Sequence, residues 1–323
     1  MNITGNNVFN LAEIALEVAR TDPDRIAVIE PDGRERNGKR RYKRHTYREL
    51  SNDAEAIALG LREIGVVECT RTIFMAPPSY ESCVLQLALS RVGATMLWID
   101  PAVGYLNVGE RLRRLEPEAF VGIPLAHLAR TVFGWGPRVM RKAIVLGAPG
   151  FPFAHDFRSL RKAVPARPAM PQVDADDPAA VLYTTGSTGP AKATLYPHRN
   201  FCEITRIAHR SWNFQPGEVP VDMPAFPAFS FIALSAGGTV VVPPINFAFE
   251  GPADAKPDQI VEVINDCGVR SMFASPALLR NLGQYAARTG ARTLSLKRVI
   301  GGGAPIVASI MEPLLEMMGE GAT

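Results

Sequence analysis

Four hydroxyls, two glycines and a lysine are packed into residues 184–192, TTGSTGPAK, between two apolar runs. Residues 179–183 and 193–196 read as buried strands, so 184–192 is the tight loop that joins them. Gly186 and Gly189 admit positive φ and let the main chain come close to a ligand. Successive backbone N–H groups in such a loop form an anion-binding concavity, and Thr184, Thr185, Ser187 and Thr188 add hydroxyl donors. Lys192 brings a mobile positive charge suited to a polyphosphate. Together these groups make a phosphate cradle and point to a nucleotide-using enzyme; the plainer alternative is a polar Gly/Ser/Thr turn. The order is GxxGxxK with a strand after the lysine, unlike the GxxxxGK[ST]-then-helix of a P-loop hydrolase.

Two further stretches carry candidate binding residues. Gly301-Gly302-Gly303-Ala304-Pro305 stands between a strand and a helix. Glycine there lets a flat ring approach the main chain, although such turns are common in α/β proteins. Residues 223–229, MPAFPAF, together with Phe231 offer Phe226, Phe229 and Phe231, either as lining for an apolar pocket or as core aromatics. His45, His127, His155 and His209 have no metal-ligand spacing, so no metal site is expected from them. A lone histidine such as His198 is more often structural than catalytic. Cys69, Cys83, Cys202 and Cys267 are scattered without a CxxC pair, the pattern of reduced thiols in a cytoplasmic protein.

The elements that must hold these residues alternate. A helix with Leu11, Ile14, Ala15 and Val18 on one face opens the chain. A strand over 26–29 follows, and Asp32-Gly33 is expected to turn it into a hairpin. Thr46 and Glu49 stand at capping-box spacing before a helix that runs to Gly65. Strands over 72–75, 95–99, 119–122 and 142–146 are interleaved with helices over 80–92 and 106–115. A proline-rich connector over 147–177 leads to the loop. Beyond it come a helix over 201–212, a strand-rich stretch over 220–245 in which 229–245 reads as core strand, and helices over 257–267, 277–289 and 306–318. Between these helices lie strands over 271–273 and 298–300. Such alternation argues for parallel sheet covered by helices, an α/β fold.

Composition narrows the function classes. At 323 residues the chain can bury a large core, and its 47% hydrophobic content is ordinary for a soluble protein. A formal charge of +3 is too small to argue for nucleic acid or a membrane as partner. Its most apolar stretch is broken by Gly237-Gly238 and Pro243-Pro244, so no transmembrane segment is expected. Arg34, Arg36, Lys39, Arg40, Arg41, Lys43 and Arg44 cluster locally. They read as a solvated hairpin or, alternatively, as a dock for an acidic partner.

The loop also resembles the signature of the adenylate-forming (AMP-binding) superfamily of acyl-CoA synthetases and peptide-synthetase adenylation domains, Thr-Ser-Gly-Ser-Thr-Gly-x-Pro-Lys-Gly. Thr184, Gly186, Ser187, Thr188, Gly189 and Lys192 match it, and His198-Arg199-Asn200 match downstream. Thr185 stands for serine, Ala191 for proline and Ala193 for glycine; alanine after the lysine would restrict the loop's hinge. Residues 116–130, EPEAFVGIPLAHLAR, and 273–280, FASPALLR, are similar to the β-lactone synthetases of bacterial long-chain olefin biosynthesis. The resemblance implies an incomplete N-terminal domain with two helix-covered, mainly parallel sheets and no mobile C-terminal domain. Residues 63–205 would form the lobe carrying the phosphate loop, and 1–62 with 206–323 a second lobe. It further implies ATP and Mg²⁺, a fatty or 3-hydroxy fatty acid as substrate, CoA as a possible acceptor, and Gly303, Ala304 and Pro305 against the adenine. The family's Tyr-Gly-x-Thr-Glu run, its metal-holding glutamate and its catalytic lysine would come after Thr323. On this reading the chain is truncated, inactive by itself, and completed by a missing C-terminal half. The alternative is a non-catalytic module that binds nucleotide or acyl chain.

Overall fold

The computed structural model describes residues 10–98, 109, 112, 114–135, 140–162, 170–184, 192–211, 219–246, 250–251, 254–319 and 321–323. Its contacts divide the chain into two compact units. One comprises Met1–Thr21, Arg48–Ala76 and Glu81–Arg206; the other comprises Asp22–Tyr47, Pro77–Tyr80 and Ile207–Thr323.

The chain opens with α1 (Leu11–Thr21), the antiparallel pair β1 (Ile26–Arg34) and β2 (Arg40–Thr46), and α2 (Tyr47–Glu63). The hairpin does not turn at Asp32-Gly33. Gly33 has φ +72° but sits at a register irregularity between Pro31 and Arg34. The reversal falls at 35–38, where the Glu35 N–H donates to the Lys39 carbonyl (2.8 Å) and the Gly38 N–H to that of Glu35 (3.0 Å). Asn37-Gly38 is the stronger turn pair, and it prevails.

The first unit is built on a seven-stranded sheet. Its strands are β3 (Arg71–Met75), β4 (Thr95–Trp98), β5 (Ala119–Gly122), β6 (Lys142–Val145), β7 (His155–Asp156), β8 (Pro178–Thr184) and β9 (Lys192–Pro197). They stand in the order β7-β6-β5-β3-β4-β8-β9, all parallel except the antiparallel β8–β9 edge pair. β4 and β5 are buried at every position, as strands covered on both faces must be. α3 (Tyr80–Arg91) connects β3 to β4, and α4 (Pro124–Phe133) follows β5. α4 begins with Pro124 in its first turn and ends at Gly134 in the left-handed conformation, φ +65°. α5 (His198–Ser211) starts directly after β9. The helix expected over 106–115 lies largely outside the described residues.

The second unit carries a six-stranded sheet, β13-β12-β10-β11-β1-β2, formed by the hairpin with β10 (Val221–Pro224), β11 (Thr239–Val241), β12 (Ser271–Ala274) and β13 (Arg298–Gly301). All its pairings but β1–β2 are parallel. The stretch 229–245 is not one core strand. After a 3₁₀ turn at Pro227–Phe229 comes a short helix, α6 (Ser230–Ser235), and only Thr239–Val241 is strand. Every residue of α6 is buried, so no polar face betrays its helical period and the run imitates a buried strand. α7 (Pro257–Cys267), α8 (Pro276–Thr289) and α9 (Ala308–Met317) follow. Ser275 caps α8 by accepting from the Leu278 N–H, and Gly268 and Gly290 close α7 and α8 with φ +62° and +73°. Ile260, Ile264, Leu278, Leu282 and Leu314 from these helices join Met223, Val241 and Met272 of the sheet in one core.

The basic cluster is partly neutralised. Arg34 and Arg40 both bind Glu262 of α7, at 2.7 and 2.8 Å, and Tyr42 donates to Asp266 (2.7 Å). Arg40 is buried, whereas Arg36, Lys39, Arg41, Lys43 and Arg44 face solvent.

Candidate functional site

In the first unit, β8 and β9 form the hairpin expected around the phosphate loop. Val181 pairs with Leu195, Tyr183 with Ala193, and Thr184 with Lys192 at the last rung. Thr185, Gly186, Ser187, Thr188 and Gly189 lie outside the described residues. The rung fixes both ends of the loop, and it stands at the carboxyl end of β8, which runs parallel to β4. In open parallel sheets that end is where ligands bind. Ala193 lies in extended strand opposite Tyr183, a conformation that needs no glycine.

His198 opens α5 behind this hairpin. Its ring is fully buried, and neither ring nitrogen has a partner among the described residues. Burial pushes its pKa down to about 4, against a small opposing effect of Asp177. It is therefore neutral at physiological pH, and its N–H anchors the chain by donating to the Asp177 carbonyl (3.0 Å).

In the second unit, the Gly301–Pro305 turn leaves the carboxyl end of β13. Gly301 and Gly302 are glycines for want of space: a Cβ on Gly301 would stand 1.8 Å from Ile306 Cδ1, and one on Gly302 2.8 Å from Phe273 Cζ. Gly303 differs. Its φ is +93°, nothing lies within 4 Å of where its Cβ would be, and Gly303, Ala304 and Pro305 are exposed. A planar group can lie against this main chain.

The aromatic stretch follows the carboxyl end of β10 in the same unit. Phe226 and Phe229 are half-buried, 6.0 Å apart between ring centroids, and Phe231 is buried within α6. Phe229 stacks on Phe273 at 3.7 Å with the rings 17° apart. Phe273 thus joins an aromatic shelf over Gly302. Sequence reasoning missed it because Phe273 sits in an apolar strand with nothing local to separate it from core.

Among the described residues no three His, Cys, Asp or Glu side chains converge to hold a metal ion. His45 is engaged by Glu30 (3.3 Å) and stacked on Tyr80 (3.6 Å), and His127 is bonded to the Ile144 carbonyl (2.9 Å). No helix among the described residues is long and apolar enough to cross a membrane.

The arrangement matches known proteins. The profile of the AMP-binding enzyme family aligns with residues 16–323. The chain belongs to that family. Two olefin β-lactone synthetases resemble this family member over nearly its whole length. That of Stenotrophomonas maltophilia is 34% identical over 97% of this chain, and that of Xanthomonas campestris pv. campestris 33% over 96%. This AMP-binding chain spans about half of each, 56% and 54% respectively. In fold it is similar to a candidate long-chain-fatty-acid CoA ligase of Rhodopseudomonas palustris. The TM-score is 0.75 at 23% identity, over 97% of this chain and 74% of that one.

Proposed function

We propose that this chain is the N-terminal part of an ATP-dependent carboxylic-acid-activating ligase acting on a fatty or 3-hydroxy fatty acid. The observation that carries the reading is the 34% identity over 97% of the chain to an olefin β-lactone synthetase. In the full reaction a carboxylate oxygen bonds to the α-phosphorus of ATP and pyrophosphate leaves; the acyl carbon of the mixed anhydride is then attacked by the acid's own 3-hydroxyl, giving a β-lactone, or by the thiol of CoA, giving a thioester, with loss of the nucleophile's proton and release of AMP.

The chain's own residues take the nucleotide and the acid. Thr184, Thr185, Gly186, Ser187, Thr188, Gly189 and Lys192 neutralise the departing pyrophosphate through backbone N–H groups, hydroxyls and one ammonium. Gly303, Ala304 and Pro305 take the adenine, for which the open, positive-φ Gly303 leaves room. Phe226 and Phe229 line the acid pocket, with Phe231 as its buried floor. The unit of Met1–Thr21, Arg48–Ala76 and Glu81–Arg206 holds the phosphates, and the unit of Asp22–Tyr47, Pro77–Tyr80 and Ile207–Thr323 holds the adenine and acid. No residue of this chain is assigned to Mg²⁺, since no described cluster fits one.

Calorimetric titration with ATP tests the assignment. Lys192→Ala removes one charge-assisted contact of about 1.5–3 kcal/mol, which weakens ATP binding roughly ten- to a hundred-fold. Equal affinity in both proteins would remove the loop's role, and no ATP binding by the unaltered chain would overturn the reading.

A further inference from the structure

The charge of the chain is not spread evenly. Residues 30–46, the hairpin of β1 and β2 from Glu30 onward, carry seven Lys and Arg against three Asp and Glu, a net +4. The whole chain is +3, so everything outside this stretch sums to −1. A small overall charge thus conceals one strongly positive place.

β2 ends the six-stranded sheet, and its two faces differ. Arg40 and Tyr42 turn to α7, where they meet Glu262 (2.8 Å) and Asp266 (2.7 Å). Arg41 and Lys43 alternate with them on the other face, about 7 Å apart along the strand, and are exposed. Arg36 in the turn and Lys39 just after it are exposed too. The neighbouring acids answer little of this charge. Glu35 accepts from the Asn37 amide (3.0 Å), and Asp32 stands 3.9 Å from Arg41. Glu30, opposite Lys43 in the ladder, is held by His45 (3.3 Å) and by the Tyr80 N–H (3.1 Å). Among the described residues no ion pair holds Arg36, Lys39, Lys43 or Arg44. Charge on an edge strand discourages pairing with another chain. That need does not account for Arg36 and Lys39, which lie beyond the last ladder pair, Arg34–Arg40.

We propose that this hairpin docks the protein on an anionic lipid surface, with Arg36, Lys39, Arg41 and Lys43 against the phosphate headgroups. The lack of an anchor favours lipid over an acidic protein. A specific protein interface is built around apolar or aromatic side chains. Within 34–44 the one such side chain is Tyr42, and it is turned to Asp266. A headgroup surface asks only for closely spaced positive charge within a Debye length. The docking does not rest on the ligase reading. Its use does, since a fatty acid partitions into the bilayer that the hairpin touches.

Co-sedimentation with vesicles tests the docking. The 323-residue chain is mixed with vesicles of phosphatidylcholine carrying about 30 mol% phosphatidylglycerol, and with vesicles of phosphatidylcholine alone. It is expected to bind the first at low salt, to release as salt shortens the Debye length, and to ignore the second. Each cation near such a surface strengthens binding about fivefold. The triple variant Arg36→Gln, Lys39→Gln, Lys43→Gln is therefore expected to bind about a hundredfold more weakly. A variant that keeps the charges, Arg36→Lys, Lys39→Arg, Lys43→Arg, is expected to bind like the unaltered chain. So is Lys256→Gln, Arg280→Gln, Arg288→Gln, which removes the same charge from exposed positions elsewhere in the second unit. No binding to the anionic vesicles, or equal weakening by both glutamine variants, overturns the proposal. Retention on immobilised polyglutamate without binding to vesicles also overturns it, and would give the hairpin to an acidic protein. The vesicles hold neither nucleotide nor fatty acid, so this test and the ATP titration fail separately.

Discussion

Asp222 is a carboxyl group whose chemistry the fold alters strongly. It lies on β10 opposite Ser271 of β12, is 2% exposed, and accepts from the Ser271 hydroxyl at 2.6 Å. Burial drives its pKa up to about 7, against the opposing effects of Ser271 and of Arg298. A carboxyl group whose folded pKa exceeds its unfolded value favours the fold only while it is protonated. Its stabilisation is complete below the unfolded pKa near 4, declines as pH rises, and is lost above about 7. Asp222→Asn keeps the hydroxyl's acceptor and removes the proton. Raising the pH from about 5 to about 8 is thus expected to lower the urea midpoint of the unaltered protein, by on the order of a few kcal/mol in stability, and to leave the variant's midpoint nearly level. Parallel midpoints in the two proteins would refute this role. Nothing in VDMP announces such a group, because its partner lies 49 residues further on. The hairpin that flanks 184–192 could be read in advance because its pattern is local; Asp222 and Phe273 could not, because their character comes from strands brought together by folding.

Elements obey the same division. β3, β5, α7 and α8 were legible to within a residue, and Pro257, Gly268, Ser275, Pro276 and Gly290 mark the ends of the two helices. α4 was not read at all. Leu125, Leu128, Ala129 and Val132 stand at helical spacing, yet the fold exposes Leu125, Leu128 and Val132 and buries Ala126, His127 and Arg130 of the opposite face. α2 shows how packing overrules propensity. Gly60 lies in its interior, where alanine is intrinsically better by about 1 kcal/mol. Yet a Cβ there would stand 1.9 Å from the Leu160 carbonyl oxygen and 2.7 Å from its carbon. Both are backbone atoms of a turn, Phe157–Leu160, that α2 also grips where the Lys162 N–H donates to the Ala56 carbonyl (3.3 Å). Overpacking of this kind costs about 1–3 kcal/mol or more. Gly60→Ala is therefore expected to lower thermal stability despite its better helix propensity, which a melting curve by circular dichroism reads directly. A higher melting temperature would show that the turn yields to the helix.

For the whole molecule, what matters is how the parts of the proposed acid-activating site are shared out along a chain. Each unit buries its own core and presents candidate residues at the carboxyl ends of its own parallel strands: Thr184, with Lys192 paired to it from β9, in one, and the Gly301–Pro305 turn and the Phe226–Phe273 shelf in the other. On the proposed reading those residues bind phosphates, a base and an apolar tail. Transfer at the α-phosphorus also needs charge stabilisation aimed at the phosphorus itself; among the described residues no three His, Cys, Asp or Glu side chains converge to hold a metal ion, and His198 is neutral with its pKa near 4. Binding without that stabilisation holds a nucleotide in place and leaves the barrier standing. The 323-residue chain is therefore expected to bind ATP and to show no acid-dependent exchange of labelled pyrophosphate into ATP. Adding the half of the Stenotrophomonas maltophilia synthetase that this chain does not cover is expected to bring exchange up by orders of magnitude. Exchange by the chain alone would mean that its own residues complete the site. Absence of exchange even with the second half, while ATP still binds, would make the protein a nucleotide-binding module.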